Sequence, residues 1–384
     1  MREEEIISAL ACFPLPLPPL PFVKDMWQIL SEDDTPLLVY GMGNGADKLI
    51  DRLASIGRTP SAVFASEGFV RGQSFRGYTV LSYSEASRLF PCHTVLVSFG
   101  SNRSDVVSFL SDFAARASCL IPDMPLAGDA YFTSSFYEAH AEEIGQVYEM
   151  LADDASRDLF AALVWYKLTG KPAFLKRAVC ASDSEELLAL HSVRTAVDVG
   201  AYRGDTLKEL VSSAPRLQRV IALEPDPKNF KKLAIVAASY PALTVECVEA
   251  AAWDTDGEMN FAASGNRNAT LESKERKGQT PSFRHQEKMV KTCKIDTILR
   301  GRNAEYVKFD TEGAELSCLR GAKETLSQSR PHLRLSLYHR SEDLFALPLY
   351  LEAAHPCAYS YYIRRPDVIP AWECDLIAVP KKEV

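Results

Sequence analysis

The chain lacks any CxxC pair and any cysteine and histidine cluster at zinc spacing, although it holds 9 cysteines in 384 residues. That excludes the common structural zinc frameworks and argues against a disulfide scaffold, so the thiols are expected in the core of a protein kept in a reducing compartment. No stretch approaches the ~20 apolar residues of a membrane-spanning helix, because charges or prolines interrupt every hydrophobic run. The first residues, MREEEIISAL, lack the positive region of a secretory signal. A cytoplasmic protein without membrane insertion is therefore expected. Positive charge is in short supply as well, with 43 Lys and Arg against 51 Asp and Glu and a formal charge of -8. Binding to a long nucleic acid is driven by cationic side chains displacing counterions, so nucleic acid is not an expected partner.

What is present is the composition of a globular protein, 47% hydrophobic and 24% charged, in a chain long enough for two domains. Residues 1–29 form an arm whose FPLPLPPLPF run excludes helix and central strand, since proline fixes φ and has no amide proton. Its interleaved Leu and Phe favour packing onto the arm's own domain over capture of a partner. Over residues 30–134, apolar strands such as LLVYG, SAVFAS, YTVLS and HTVLVSFG alternate with amphipathic helical stretches. The alternation predicts a small Rossmann-like parallel sheet. Residues 135–192 read as a helical bridge, with one helix ending at Gly170 ahead of Pro172. From residue 193 a second series opens, RTAVDVG, RVIALEP, LTVECVEAAA, EYVKFD and HLRLSLYH, predicting a second doubly wound sheet.

The candidate chemistry sits in that second series. Asp198, Gly200 and Gly204 fall between a buried strand and a helix, where glycines let backbone approach a nucleotide-like ligand. Glu224 ends the next strand, within reach of ribose hydroxyls on a ligand lying across the sheet edge. Asp310 ends the strand YVKFD, Glu312 follows in the turn, and His339 ends the neighbouring strand LRLSLYH. A local reading also exists, in which Asp310 and Glu312 cap a helix starting near Ala314. The three residues also form a mixed carboxylate and imidazole set of the kind that suits a divalent ion, although no metal is expected.

DVGAYRGDT, ALEPDPKNF, VKFDTEGAELSCLRGA and SLYHRSEDL, in this order over about residues 193–380, together resemble the FkbM family of methyltransferases. The resemblance implies an α/β class I methyltransferase fold, a Rossmann-like doubly wound sheet preceded here by the smaller Rossmann-like domain and the helical bridge. It also implies S-adenosyl-L-methionine as cofactor and O-methylation of a sugar, a polysaccharide precursor or a related natural product. Carried onto this chain, Asp198, Gly200, Ala201 and Gly204 would face the methionine part, Glu224 the ribose, and Glu249 with Ala250 and Ala251 the adenine. Trp253 either covers the ring or fills the core. In IRRPDV the chain has Arg364 and Arg365 where similar proteins often show Arg-His, so no role of that histidine transfers.

A methyl transfer to a neutral hydroxyl needs alignment and a proton acceptor within reach. His339 or Asp310 is the expected base, with Glu312 fixing the acceptor or the cofactor's amino group. The polar stretch 262–290 is a candidate lid, and its Arg267, Lys274, Arg276, Lys277, Arg284 and Lys288 suit acceptor phosphates or form a solvated loop. In the first domain Gly41, Gly43 and Ala46 satisfy GxGxx(G/A) after a strand, and Glu67 follows the second strand at the spacing of a ribose contact. That domain is accordingly an alternative seat of function, as a nucleotide or nucleotide-sugar binding, oxidoreductase-like module, or as a docking module.

Overall fold

Two sheets, each opened by a strand, a glycine turn and a helix, organise the computed structural model, which describes residues 10–114, 117–263 and 286–381. The first sheet comprises β1 (Leu37–Tyr40), β2 (Ala62–Ala65), β3 (Ser74–Phe75), β4 (Tyr78–Ser82), β5 (Thr94–Val97) and β6 (Cys119–Leu120). Its order is β3-β4-β2-β1-β5-β6. All neighbours are parallel except the β3–β4 pair. β1 and β2 are buried at every position, as expected for parallel strands covered on both faces. The helix Asn44–Ser55 lays Ala46, Leu49, Ile50 and Leu53 on the sheet, an i, i+3, i+4, i+7 stripe.

The second sheet contains β7 (Thr195–Val199), β8 (Arg219–Leu223), β9 (Thr244–Val248), β13 (Tyr306–Phe309), β14 (His332–Ser336), β15 (Tyr359–Arg364) and β16 (Asp375–Pro380). Its order is β15-β16-β14-β13-β7-β8-β9. The first five in chain order run parallel, whereas β16 is antiparallel to both β14 and β15. The strand order therefore reverses between β7 and β13, and ligands of open α/β sheets bind at such a reversal, beyond the carboxyl ends of the strands. A separate sheet of β10 (Ala251–Ala252), β11 (Gly257–Ala263) and β12 (Gln286–Cys293) branches off after β9. The ends of the expected lid are thus strands, because β11 and β12 pair in register from Gly257 with Thr292 to Ala263 with Gln286. The intervening residues 264–285, with Arg267, Lys274, Arg276, Lys277 and Arg284, lie outside the described residues.

Helices fill the space between the sheets. Asp154–Thr169 is buried along nearly its whole length; Asp153 caps its start through Ser156 N at 2.6 Å, and Gly170 ends it in the left-handed region at φ 63. Its buried charges are paired, Asp158 with Arg177 and Lys167 with Asp123, and the helix is the layer onto which the rest packs. The proline-rich arm lies against it, with Leu15 and Phe22 buried and the Trp165 indole donating to Pro16 O at 2.8 Å. One core runs continuously from the first sheet through these helices to one face of the second. Arg364 and Arg365 belong to this join. Arg364 pairs with Asp153 and Asp183 at 2.8 and 2.6 Å. Arg365, fully buried, donates to the carbonyls of Ala178 and Pro370 at 2.7 and 2.9 Å.

Candidate active site

At the reversal between β7 and β13 the chain leaves β7 through Gly200, at φ 87. A Cβ there would stand 1.9 Å from the carbonyl oxygen of Asp310, so only glycine lets the ends of β7 and β13 come this close. Ala201 and Tyr202 turn the chain towards the helix Asp205–Ser213, which Gly204 starts at φ 85. The Tyr202 amide donates to Glu224 Oε2 at 2.8 Å and the Asp226 amide to Oε1 at 2.8 Å. Two backbone bonds thus aim the Glu224 carboxyl at the crevice, each oxygen keeping a second lone pair. Burial pushes its pKa up to about 7.

These elements enclose a cavity of about 240 Å³. Its near wall is Gly200, Ala201, Tyr202, Glu224 and the small residues Ala250 to Ala252; its far wall holds Asp310, Glu312, Lys308, Arg334, Tyr338 and Glu373. Gly200, Ala201, Glu224, Ala250, Asp310 and Glu312 are therefore brought together as the sequence suggested. Five others are not on the wall. Asp198 lies fully buried on the strand behind it, and burial pushes its pKa up to about 6. Gly204 instead packs its α-carbon against Val236 and Leu233. Glu249 points to solvent, because the short strand that follows turns Ala250 to Ala252 inward in its place. His339 is fully buried behind the carboxylates. Trp253 is half-buried against the core and off the wall.

The far wall is a charge network. Lys308 and Arg334 are register partners on β13 and β14, and Lys308 also sits opposite Asp198 on β7, so all three share one face of the sheet. The Lys308 ammonium donates to Asp310 Oδ2 at 3.0 Å and to Thr206 Oγ1 at 3.1 Å. Arg334 pairs with Asp375 at 2.7 Å and Glu209 at 2.9 Å. The Tyr338 hydroxyl donates to Asp310 Oδ1 at 3.2 Å. His339 Nδ1 lies 2.9 Å from Glu315, and its Nε2 3.5 Å from both Asp310 and Glu312.

Burial alone would keep this imidazole neutral, but Glu315, Glu312 and Asp310 outweigh it and push its pKa up to about 10. The three carboxylates thus favour the protonated imidazolium over the free base expected from the sequence. Burial likewise works against the Asp310 carboxylate, yet Lys308 and His339 prevail and hold it well below the usual range. Neither Asp310 nor Glu312 caps the following helix. Glu315–Arg320 starts without a side-chain cap, and Glu315 itself accepts from the Thr311 amide at 2.7 Å. Among the described residues, the donor atoms of Glu315, His339 and Asp343 lie within 4.8 Å of one another. This is a different set from the Asp310, Glu312 and His339 trio the sequence suggested for a divalent ion.

Lys308, Arg334, Tyr338, Glu315 and Glu373 were not singled out from the sequence. A signal existed for the first two: each interrupts an otherwise apolar strand, EYVKFD and HLRLSL, where a charge is costly unless paired.

Residues 198–361 match the family model of the methyltransferase FkbM domain. No curated protein sequence matches the chain. Among solved structures, a methyltransferase FkbM from Methylobacillus flagellatus KT is similar over 98% of both chains at 19% identity, with a TM-score of 0.68. An rRNA methylase from Streptococcus thermophilus aligns with 52% of this chain and 95% of its own at 12% identity and a TM-score of 0.34. A precorrin-6y C5,15-methyltransferase from Geobacter metallireducens GS-15 aligns with 52% and 86% at 13% identity and a TM-score of 0.32.

Proposed function

Since residues 198–361 are a methyltransferase domain of the FkbM family, we propose that the chain transfers a methyl group from S-adenosylmethionine to a hydroxyl oxygen of a saccharide or related small natural product. The observation that carries this reading is one cavity holding a nucleoside cradle on one wall and an ordered carboxylate cluster on the other. The cradle suits the cofactor. Gly200 lets the ends of β7 and β13 close on each other beside the crevice, Glu224 offers two aimed acceptors for ribose hydroxyls, and Ala250 to Ala252 give a low apolar surface for a ring. When bound, the cofactor supplies a methyl group on a positively charged sulfur, already activated for displacement.

The chain's own residues then align the acceptor and take its proton. Both Asp310 oxygens are engaged, by Lys308 on one side and by Tyr338 and His339 on the other, so Asp310 is a fixed acceptor and a poor proton sink. Glu312 lines the cavity with the His339 imidazolium 3.5 Å behind it, and it is the residue assigned to receive the hydroxyl proton. Glu312 would take the hydroxyl proton as the acceptor oxygen, held at Asp310, receives the methyl group from the bound donor. His339 is a positioning residue, held by Glu315 and by the Leu126 and Ala127 amides that donate to its carbonyl at 3.0 and 2.8 Å.

The test is single-turnover transfer from labelled donor to a panel of saccharide and natural-product acceptors. Glu312→Gln is expected to slow the chemical step about 100-fold or more, with donor binding retained. Unchanged turnover in Glu312→Gln would remove the proton-acceptor role, and absence of transfer to every hydroxyl acceptor would overturn O-methylation.

A further inference from the structure

The first sheet has a reversal of its own, between β1 and β5, and a second cavity lies at the carboxyl ends of those strands. Its volume is about 250 Å³, against about 240 Å³ for the methyl-transfer cavity, so it admits a ligand of nucleoside size. It is an open crevice, and it lies where the two halves are stitched together. Ser101 and Ile369 exchange backbone hydrogen bonds at 2.8 and 3.0 Å beside it. The Trp372 ring lies so close over Gly100 that a Cβ there would stand 2.1 Å from it.

The lining divides into two parts. One is apolar and aromatic: Phe99, Trp372, Met124, Leu126 and Ile121. The other is Gly43, Asn44 and Gly45 at the start of the 12-residue helix Asn44–Ser55, with Lys48 one turn on, its ammonium 3.4 and 3.5 Å from the Pro125 and Leu126 carbonyls at the rim. No side chain caps that helix. Gly45 must be glycine, since a Cβ would stand 2.0 Å from Ser98 O. This cavity belongs to neither the cradle nor the carboxylate cluster.

We propose that this crevice is a second ligand site, which takes a mononucleotide with its ring against Phe99 and Trp372 and its phosphate towards Gly43, Gly45 and Lys48. The crevice and its lining carry the assignment, and the helix start and the lysine set which end of the ligand lies where. The site also touches the methyl-transfer machinery. Trp372 lines this cavity while its neighbour Glu373 lines the other, and the amide of Leu126, whose residue lines the crevice, holds the His339 carbonyl.

The experiment is calorimetric titration of the full chain with AMP and with adenosine, each with and without saturating S-adenosylhomocysteine. AMP is expected to bind with S-adenosylhomocysteine already in place, about tenfold tighter than adenosine. Gly43→Leu puts a side chain where nothing lies within 4 Å of a Cβ, at ordinary φ, and fills the crevice without strain. It is expected to abolish AMP binding and leave S-adenosylhomocysteine affinity unchanged. Lys48→Gln is a second variant, expected to weaken AMP several-fold and adenosine little. No AMP binding at millimolar concentration, displacement of AMP by S-adenosylhomocysteine, or AMP affinity indifferent to both substitutions would overturn the site. Equal affinities for adenosine and AMP would overturn its phosphate end.

Discussion

The two crevices are built alike and have opposite chemistry. Each lies at a strand-order reversal, follows a strand that exits through a glycine at positive φ, Gly41 or Gly200, and runs into a helix that buries one face on its sheet. In the second half the following strand ends on Glu224, 6% exposed and clasped by two amides. In the first half the corresponding Glu67 stands in an exposed turn. The second crevice is walled by Asp310, Glu312, Lys308 and Arg334, and the first by Phe99, Met124 and Trp372. The shared turn therefore sets where a ligand goes, and the strand-end charges set what is done to it.

The largest expected contrast comes from the glycines. Gly200→Ala forces a Cβ to within 1.9 Å of a backbone oxygen at φ 87. It should abolish S-adenosylhomocysteine binding and cost about 3 kcal/mol of stability, read by denaturant unfolding. Gly43→Ala, with open space and ordinary φ, should do neither.

Next come the two glutamates. Glu224→Ala should weaken S-adenosylhomocysteine about 100-fold, the worth of two hydrogen bonds to a carboxylate, whereas Glu67→Ala should leave affinity unchanged. Because burial holds the Glu224 pKa near 7, affinity for S-adenosylhomocysteine should fall as pH drops below about 7. That slope should vanish in Glu224→Gln.

A smaller effect belongs to His339. Its pKa stands at about 10 in the folded chain against an ordinary 6.5. The imidazolium's contribution to stability is complete below pH 6.5 and is lost as pH rises through 10. The melting temperature should decline between pH 8 and 10 in the wild type and less steeply in His339→Asn, which carries no titrating proton there.

Local signals made much of this legible. The alternating apolar runs and glycine turns announced both parallel sheets, and the separated motifs from DVGAYRGDT to SLYHRSEDL placed the methyltransferase half. The antiparallel β15 and β16 were not foreseen, since YSYYIR and DLIAVP read as strands of either sense and only the fold supplies their neighbours. At Glu249, Ala250 and Ala251 the motif left open which residue meets the adenine, and the fold exposes Glu249 while Ala250 joins the wall. His339 was correctly drawn to Asp310 and Glu312, but its charge depends on Glu315, a residue of another element. A pKa is a property of what surrounds a group after folding, and no single motif contains it.

The claim most exposed to refutation is that the crevice of the second half, and not that of the first, receives the sulfonium nucleoside. Isothermal titration of the full chain with S-adenosylhomocysteine tests it directly: one equivalent should bind to the wild type and to Gly43→Leu, and none to Gly200→Ala. Heat that survives in Gly200→Ala and disappears in Gly43→Leu would contradict the account.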